Sequence, residues 1–131
     1  MEKPITFGVF FTEAYVKREW DYKETKGKGG TRLKFEGYEE EDNELKFFFV
    51  LEYAHPPEAL DKEETEYFFK AKLNGIATVS TGDKEVLDSV KTFYNLNKRL
   101  QPELVRELLN RSFERVQSLL SCVDVSVTRE A

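Results

Sequence analysis

Between residues 45 and 53 every second residue is apolar: Leu45, Phe47, Phe49, Leu51 and Tyr53. A period of two puts all five on one side of a β-strand. Such a strand has to lie in a sheet covered by a second layer. The positions between and after them carry Phe48, Val50 and Ala54. A sheet buried on one face shows apolar residues on one side and polar residues on the other. This segment therefore asks for two things: a cover for its odd face and a reason for its even face.

The segments around it read as further strands. Ile5, Phe7, Val9 and Phe11 alternate, and the apolar phase then moves to Ala14, Val16, Trp20 and Tyr22. That shift predicts a bulge or bend near Thr12 or Glu13. The glycines at 27, 29 and 30 predict a flexible connection. Leu33, Phe35 and Tyr38 mark the next strand, which turns at Glu40-Glu41-Asp42-Asn43. Pro56 and Pro57 end the strand from Leu45 and lead into a polar loop over 56–65. Tyr67, Phe69, Ala71 and Leu73 open a fourth strand that continues through Ile76, Thr78 and Ser80, with a bulge expected at Gly75.

From residue 81 the spacing becomes helical. Thr81 or Asp83 can cap a helix carrying Val86, Leu87, Val90, Phe93 and Tyr94, which Asn95-Leu96-Asn97 ends. Pro102 suits the first turn of a second helix, with an apolar stripe from Leu104 to Leu120. Glu103 with Arg106 and Glu107 with Arg111 are spaced as surface pairs. Val123, Val125 and Val127 predict a short extended tail. Strands followed by helices predict one α+β domain over residues 1–131: a four-stranded antiparallel sheet followed by two helices packed on one face.

Composition narrows the function. The chain has one histidine and one cysteine, which leaves a multi-His metal site or a cysteine zinc cluster without ligands. Neither a metal nor a cofactor is expected. The net charge of −5 disfavours nucleic acid as a partner. Residues 35–66 hold twelve acids against two lysines. Within them Glu39, Glu40, Glu41 and Asp42 offer an acidic face for a basic protein partner, or simply form a solvated turn. The longest apolar run, Phe47 to Leu51, is too short to cross a membrane. The start of the sequence does not resemble a signal peptide, so a cytoplasmic protein is expected. An excess of Glu and Lys over Gln leans toward thermophilic composition.

Local motifs carry little chemistry. Gly27-Lys28-Gly29-Gly30-Thr31 lacks the spacing of a phosphate-binding loop. His55 has no neighbouring ligand and reads as a strand-end surface residue. Cys122 reads as a small buried apolar residue at a helix end. The carboxylates sit in charge runs and not as an isolated pair among apolar residues.

The aromatic surplus is more telling. Eleven Phe, six Tyr and one Trp exceed what one sheet face and two helices need. If the odd face meets the helices, then Phe10, Phe48, Val50 and Phe68 lack a cover. Each exposed aromatic forgoes about 1.5–3 kcal/mol of burial. Such clusters mark an interface or a binding groove, unless the fold wraps them internally.

Several strings resemble the SecB export-chaperone family. Glu66 to Val79 is similar to that family's fourth strand, where a polar residue and a glycine (Asn74-Gly75) precede an apolar run. Leu87 to Leu96 lies where its long helix begins. Leu100-Gln101-Pro102-Glu103-Leu104-Val105-Arg106-Glu107 resembles its Leu-x-Pro-x-x-Arg-Glu stretch with the arginine one residue late, and Val123 to Val127 resembles its following extended segment. The likeness is strongest over 66–127. The family's final helix has no counterpart before Ala131. The resemblance implies ATP-independent binding of unfolded or partly folded polypeptide by a homo-oligomer, a dimer or tetramer, in grooves lined by aromatics, and acidic surface for a motor partner. The expected function is thus a non-enzymatic, SecB-like chaperone. The alternative is an adaptor or structural subunit with one dedicated protein partner. A third reading is an enzyme or carrier whose enclosed pocket has an acid such as Glu52 pointing inward.

Overall fold

The computed structural model describes residues 5–19, 29–61 and 69–123. Strands β1 (Thr6–Arg18), β2 (Gly30–Glu41), β3 (Glu44–His55) and β4 (Phe69–Ser80) precede helices α1 (Lys84–Asn97) and α2 (Pro102–Ser121). The sheet is antiparallel throughout, in the order β1-β4-β3-β2. This is the α+β arrangement expected from the sequence.

The inner face of the sheet carries the core. Leu45, Phe47, Phe49 and Leu51 of β3 are buried, as are Phe69, Ala71, Leu73, Ala77 and Val79 of β4. α1 closes over β2 and β3 through Tyr94, whose ring meets Phe47 at 5.1 Å, Tyr38 at 5.4 Å and Phe35 at 6.1 Å. α2 lies toward β1 and β4. Its Arg111 and Arg115 guanidinium groups sit 5.7 Å and 5.4 Å from the ring centres of Phe7 and Phe11. Phe113 packs on Tyr53 at 6.2 Å.

Both edge strands are bulged. The register of β1 against β4 shifts between Phe11 and Glu13, so Phe7, Val9, Phe11, Ala14 and Val16 all face inward. The expected flip near Thr12 is therefore a bulge within one continuous strand. β2 has a second bulge between Phe35 and Gly37, which returns Tyr38 to the inner face. Gly37 takes φ +122° there, a region that glycine occupies without steric cost.

Several sequence expectations are corrected. β4 is not bulged at Gly75; its alternation is unbroken, and the bulge is in β1 opposite. A Cβ at Gly75 would lie 2.5 Å from the Phe10 carbonyl oxygen and 2.7 Å from the Phe49 ring. The glycine thus makes room for a ring, and the strand does not bend. The loop after Pro56 contains a 3₁₀ turn, Pro57–Leu60, with Ala59 buried. α1 runs through Asn97 and stops at Lys98 in the left-handed conformation (φ 56°). Cys122 is exposed, its thiol donating to the Ser118 carbonyl at 3.4 Å. The extended tail, the 20–28 connection, Trp20 and Tyr22 fall outside the described residues.

Candidate functional site

Strand alternation leaves a second, outer face opposite the helices. Residues paired across an antiparallel ladder share a face. Phe10 of β1 pairs with Ile76 of β4, Ile76 with Phe48 of β3, and Phe48 with Gly37 of β2. The result is one row, Phe10–Ile76–Phe48–Gly37, crossing the whole sheet at right angles to the strands. Val50 stands next to Phe48 on the same side of β3. Phe10 is 61% exposed; Phe48, Val50 and Ile76 are half-buried. Three of the four apolar residues singled out by the sequence, Phe10, Phe48 and Val50, therefore lie together on the outer face. Phe68 falls outside the described residues.

Ile76 belongs with them and was missed. A bulge placed at Gly75 would have made the parity of the following residues uncertain. With β4 regular, every even residue from Lys70 to Ser80 faces outward. The signal that could have found Ile76 was Ala77 and Val79, which continue the odd phase of Ala71 and Leu73 across the glycine.

A shallow hollow of about 340 Å³ lies beside this row. Phe48, Val50 and Ile76 line it, with Asn74 and the two bulge residues Thr12 and Glu36 at its rim. The bulges aim Thr12 and Glu36 at the hollow because the extra residue in each edge strand breaks the strict alternation. Thr12 Oγ1 donates to the Asn74 carbonyl at 3.2 Å, and Asn74 Nδ2 donates to Glu13 Oε2 at 3.0 Å. These bonds fix one wall.

One corner of the outer face is covered. The 3₁₀ turn folds back over β2 and β3, burying Ala54, and a Cβ at Gly30 would meet Pro57 at 2.8 Å. Arg32 holds the turn in place. Its Nε and Nη2 donate to Glu52 Oε1 at 3.2 and 3.0 Å, and its Nη1 donates to Asp61 Oδ1 at 2.9 Å. Glu52 accordingly faces outward on a charged edge and does not point into an enclosed cavity. A larger recess of about 430 Å³ lies at this corner, lined by Tyr15, Arg32, Glu52, Lys70 and Lys72 among others.

The acidic run is divided by the strand it sits on. Glu39 and Glu41 point outward with the apolar row, whereas Glu40 is on the inner face, where Lys91 Nζ of α1 donates to it at 3.1 Å. Lys46 Nζ donates to Glu41 at 3.1 Å. Asp42 is in the turn, with φ 30°. These hydrogen-bonded carboxylates hold the Lys46 and Lys91 ammonium groups above the ordinary lysine range. The four acids do not form one face: two edge the apolar row, and one ties a helix to the sheet.

Among the described residues, no group of three or more His, Cys, Asp and Glu could hold a metal ion. No helix among them is long and apolar enough to cross a membrane.

The sequence matches no known family model and no curated protein. A protein of unknown function from Streptococcus agalactiae has a solved structure that aligns over 100% of both chains, with 11% sequence identity and a TM-score of 0.46.

Proposed function

We propose that this protein is an ATP-independent chaperone, similar to the SecB family, that binds non-native polypeptide on its outer sheet face. The observation that carries the reading is the apolar row, Phe10, Ile76 and Phe48 with Val50 beside it, on a face opposite both helices. Folded proteins seldom leave such side chains in water without a use. An unfolded chain offers apolar residues that a folded one hides, and the hollow beside Phe48 can seat them.

The dimensions set the expected strength. Four strands at about 4.8 Å spacing give a row roughly 14 Å long, the length of about four extended residues. One such row holds a client weakly. Useful affinity follows from several copies collecting along one unfolded chain. Binding of this kind is not catalysis and needs neither nucleotide nor metal.

The test dilutes a chemically unfolded protein into buffer with and without this one and follows light scattering. Suppression at near-stoichiometric amounts is expected. The Phe10→Asp, Phe48→Asp double variant should lose it while keeping the wild-type circular dichroism spectrum. If the wild type suppresses nothing at any ratio, the reading fails, and the same face is better read as the seat of one folded protein partner.

A further inference from the structure

We infer that the outer face is self-complementary and pairs with the outer face of a second copy about a two-fold axis lying along the apolar row. This rests on the charge pattern around the row and is independent of client binding.

The pattern is polar along the strands. On the His55 side of the row the outward strand positions carry Lys17, Arg32, Lys34, Lys70 and Lys72 against Glu13 and Glu52, with Glu36 at the β2 bulge and Asp61 of the 3₁₀ turn bonded to Arg32. On the other side, Glu39, Glu41 and Glu44 outnumber Lys46. The registers place these residues on the outer face with Phe48 and Ile76 between the two groups. One face thus has a basic end, an apolar middle and an acidic end.

Two copies can meet face to face with either of two axes in the plane of contact. An axis parallel to the strands puts acidic end on acidic end. An axis along the row reverses the strand direction and puts basic end on acidic end. It also lays Phe10, Ile76 and Phe48 on their own counterparts. Along β2 it sets Lys34 over the partner's Glu39, a contact that occurs twice, as in any isologous pair; Arg32, held by Glu52 and Asp61, lies over the partner's Glu41, held by Lys46. Glu52 then falls over the partner's Glu44, but Arg32 already neutralises Glu52. Gly37 lies between Lys34 and Glu39, and among the described residues no atom comes within 4 Å of where its Cβ would be, which leaves room for close approach at that point. Packed sheets sit about 10 Å apart at about 30°.

The area is adequate for a weak dimer. The open face, about 19 Å wide and 27 Å long, gives a flat footprint on the order of 500 Å². Side-chain relief raises this toward the roughly 800 Å² per partner of an ordinary interface. A dissociation constant in the micromolar range or weaker is expected. Where the face also binds clients, dimer and client compete for Phe48, so the paired state is the resting one.

The test is sedimentation velocity on the full chain over a concentration series, with Lys34→Glu and Glu39→Lys. Both positions are exposed, so neither change should disturb the fold; thermal melts check this. Each variant alone should dimerise at least roughly tenfold more weakly than wild type, because the swap sets like charges against each other twice. Mixing the two variants in equal amounts should restore pairing as a heterodimer, since every such contact then joins opposite charges. A monomeric wild type overturns the inference. So does a dimer that both variants leave intact, which would place the interface elsewhere, or a mixture that fails to associate. Both variants keep Phe10 and Phe48 and should still suppress aggregation; a wild type that dimerises as described but suppresses no aggregation would sink the proposed function alone.

Discussion

Gly75 shows how one hydrogen in place of a methyl group decides the packing of three strands. The Phe49 ring and the Phe10 carbonyl both occupy the space that a side chain there would need. Gly75→Ala must push the Phe49 ring out of a fully packed core, so a loss of about 1–3 kcal/mol is expected. A urea unfolding curve measures it; an unchanged midpoint would show that the ring yields freely. Lys91 illustrates a contact of the opposite kind, exposed and dependent on charge. Its hydrogen bond from Nζ to Glu40 holds its pKa above the ordinary lysine value. A raised folded-state value means that this link stabilises fully below the unfolded lysine value and is lost as pH rises through the folded one. The urea midpoint should therefore fall in the alkaline range above about pH 10, and less steeply for Lys91→Met. Equal slopes for the two proteins would show that the pairing contributes nothing.

At the scale of elements, caps and bulges do more than propensity. Asp83 accepts hydrogen bonds from the backbone N–H groups of Glu85 and Val86, at 3.0 and 3.4 Å. Asp83→Ala should cost about 1 kcal/mol of stability, read as a lowered melting temperature. The bulge at Thr12 gives a less intuitive prediction. Removing Thr12 restores strict alternation and leaves Phe11 inward, Glu13 outward and Ala14 inward, as they are now. A chain lacking Thr12 should therefore keep its fold and lose about 0.5–1.5 kcal/mol with the Thr12–Asn74 hydrogen bond, whereas a rearranged or unfolded circular dichroism spectrum would show that the bulge itself is needed. These elements also show what the sequence could and could not reveal. The strands of β3 and β4, the cap and the flip at Thr12 were legible because hydrophobic period and cap chemistry are local. The 3₁₀ turn was not, because Ala59 is buried by a contact with the sheet and not by any pattern of its own. Nor was the membership of Ile76 in the row, which depends on whether Gly75 bends a strand or merely makes room. The acidic run read as one face only because strand parity at residues 38–41 depends on a bulge that nothing before Gly37 announces.

The whole molecule is a two-layer body whose core joins sheet to helices through Leu45, Phe47, Leu73, Leu100, Leu108 and Leu120, all fully buried. With one shared core, sheet and helices should unfold together. Leu108→Ala should lower stability by about 2–5 kcal/mol, with the same midpoint from far-ultraviolet circular dichroism and from tyrosine fluorescence; separate midpoints would mean the layers part independently. The bulges bear on how such a molecule behaves in a crowd. Among the described residues, β1 is the last strand of the ladder on its side, thirteen residues long. An unbroken edge of that length is a template on which other strands stack into fibrils. The kink at Thr12 divides it into two runs of about six residues, and the Gly37 bulge interrupts the opposite edge in the same way. An incoming strand cannot stay in register through either break. The two bulges thus break the edge strands into short runs that are poor templates for amyloid growth.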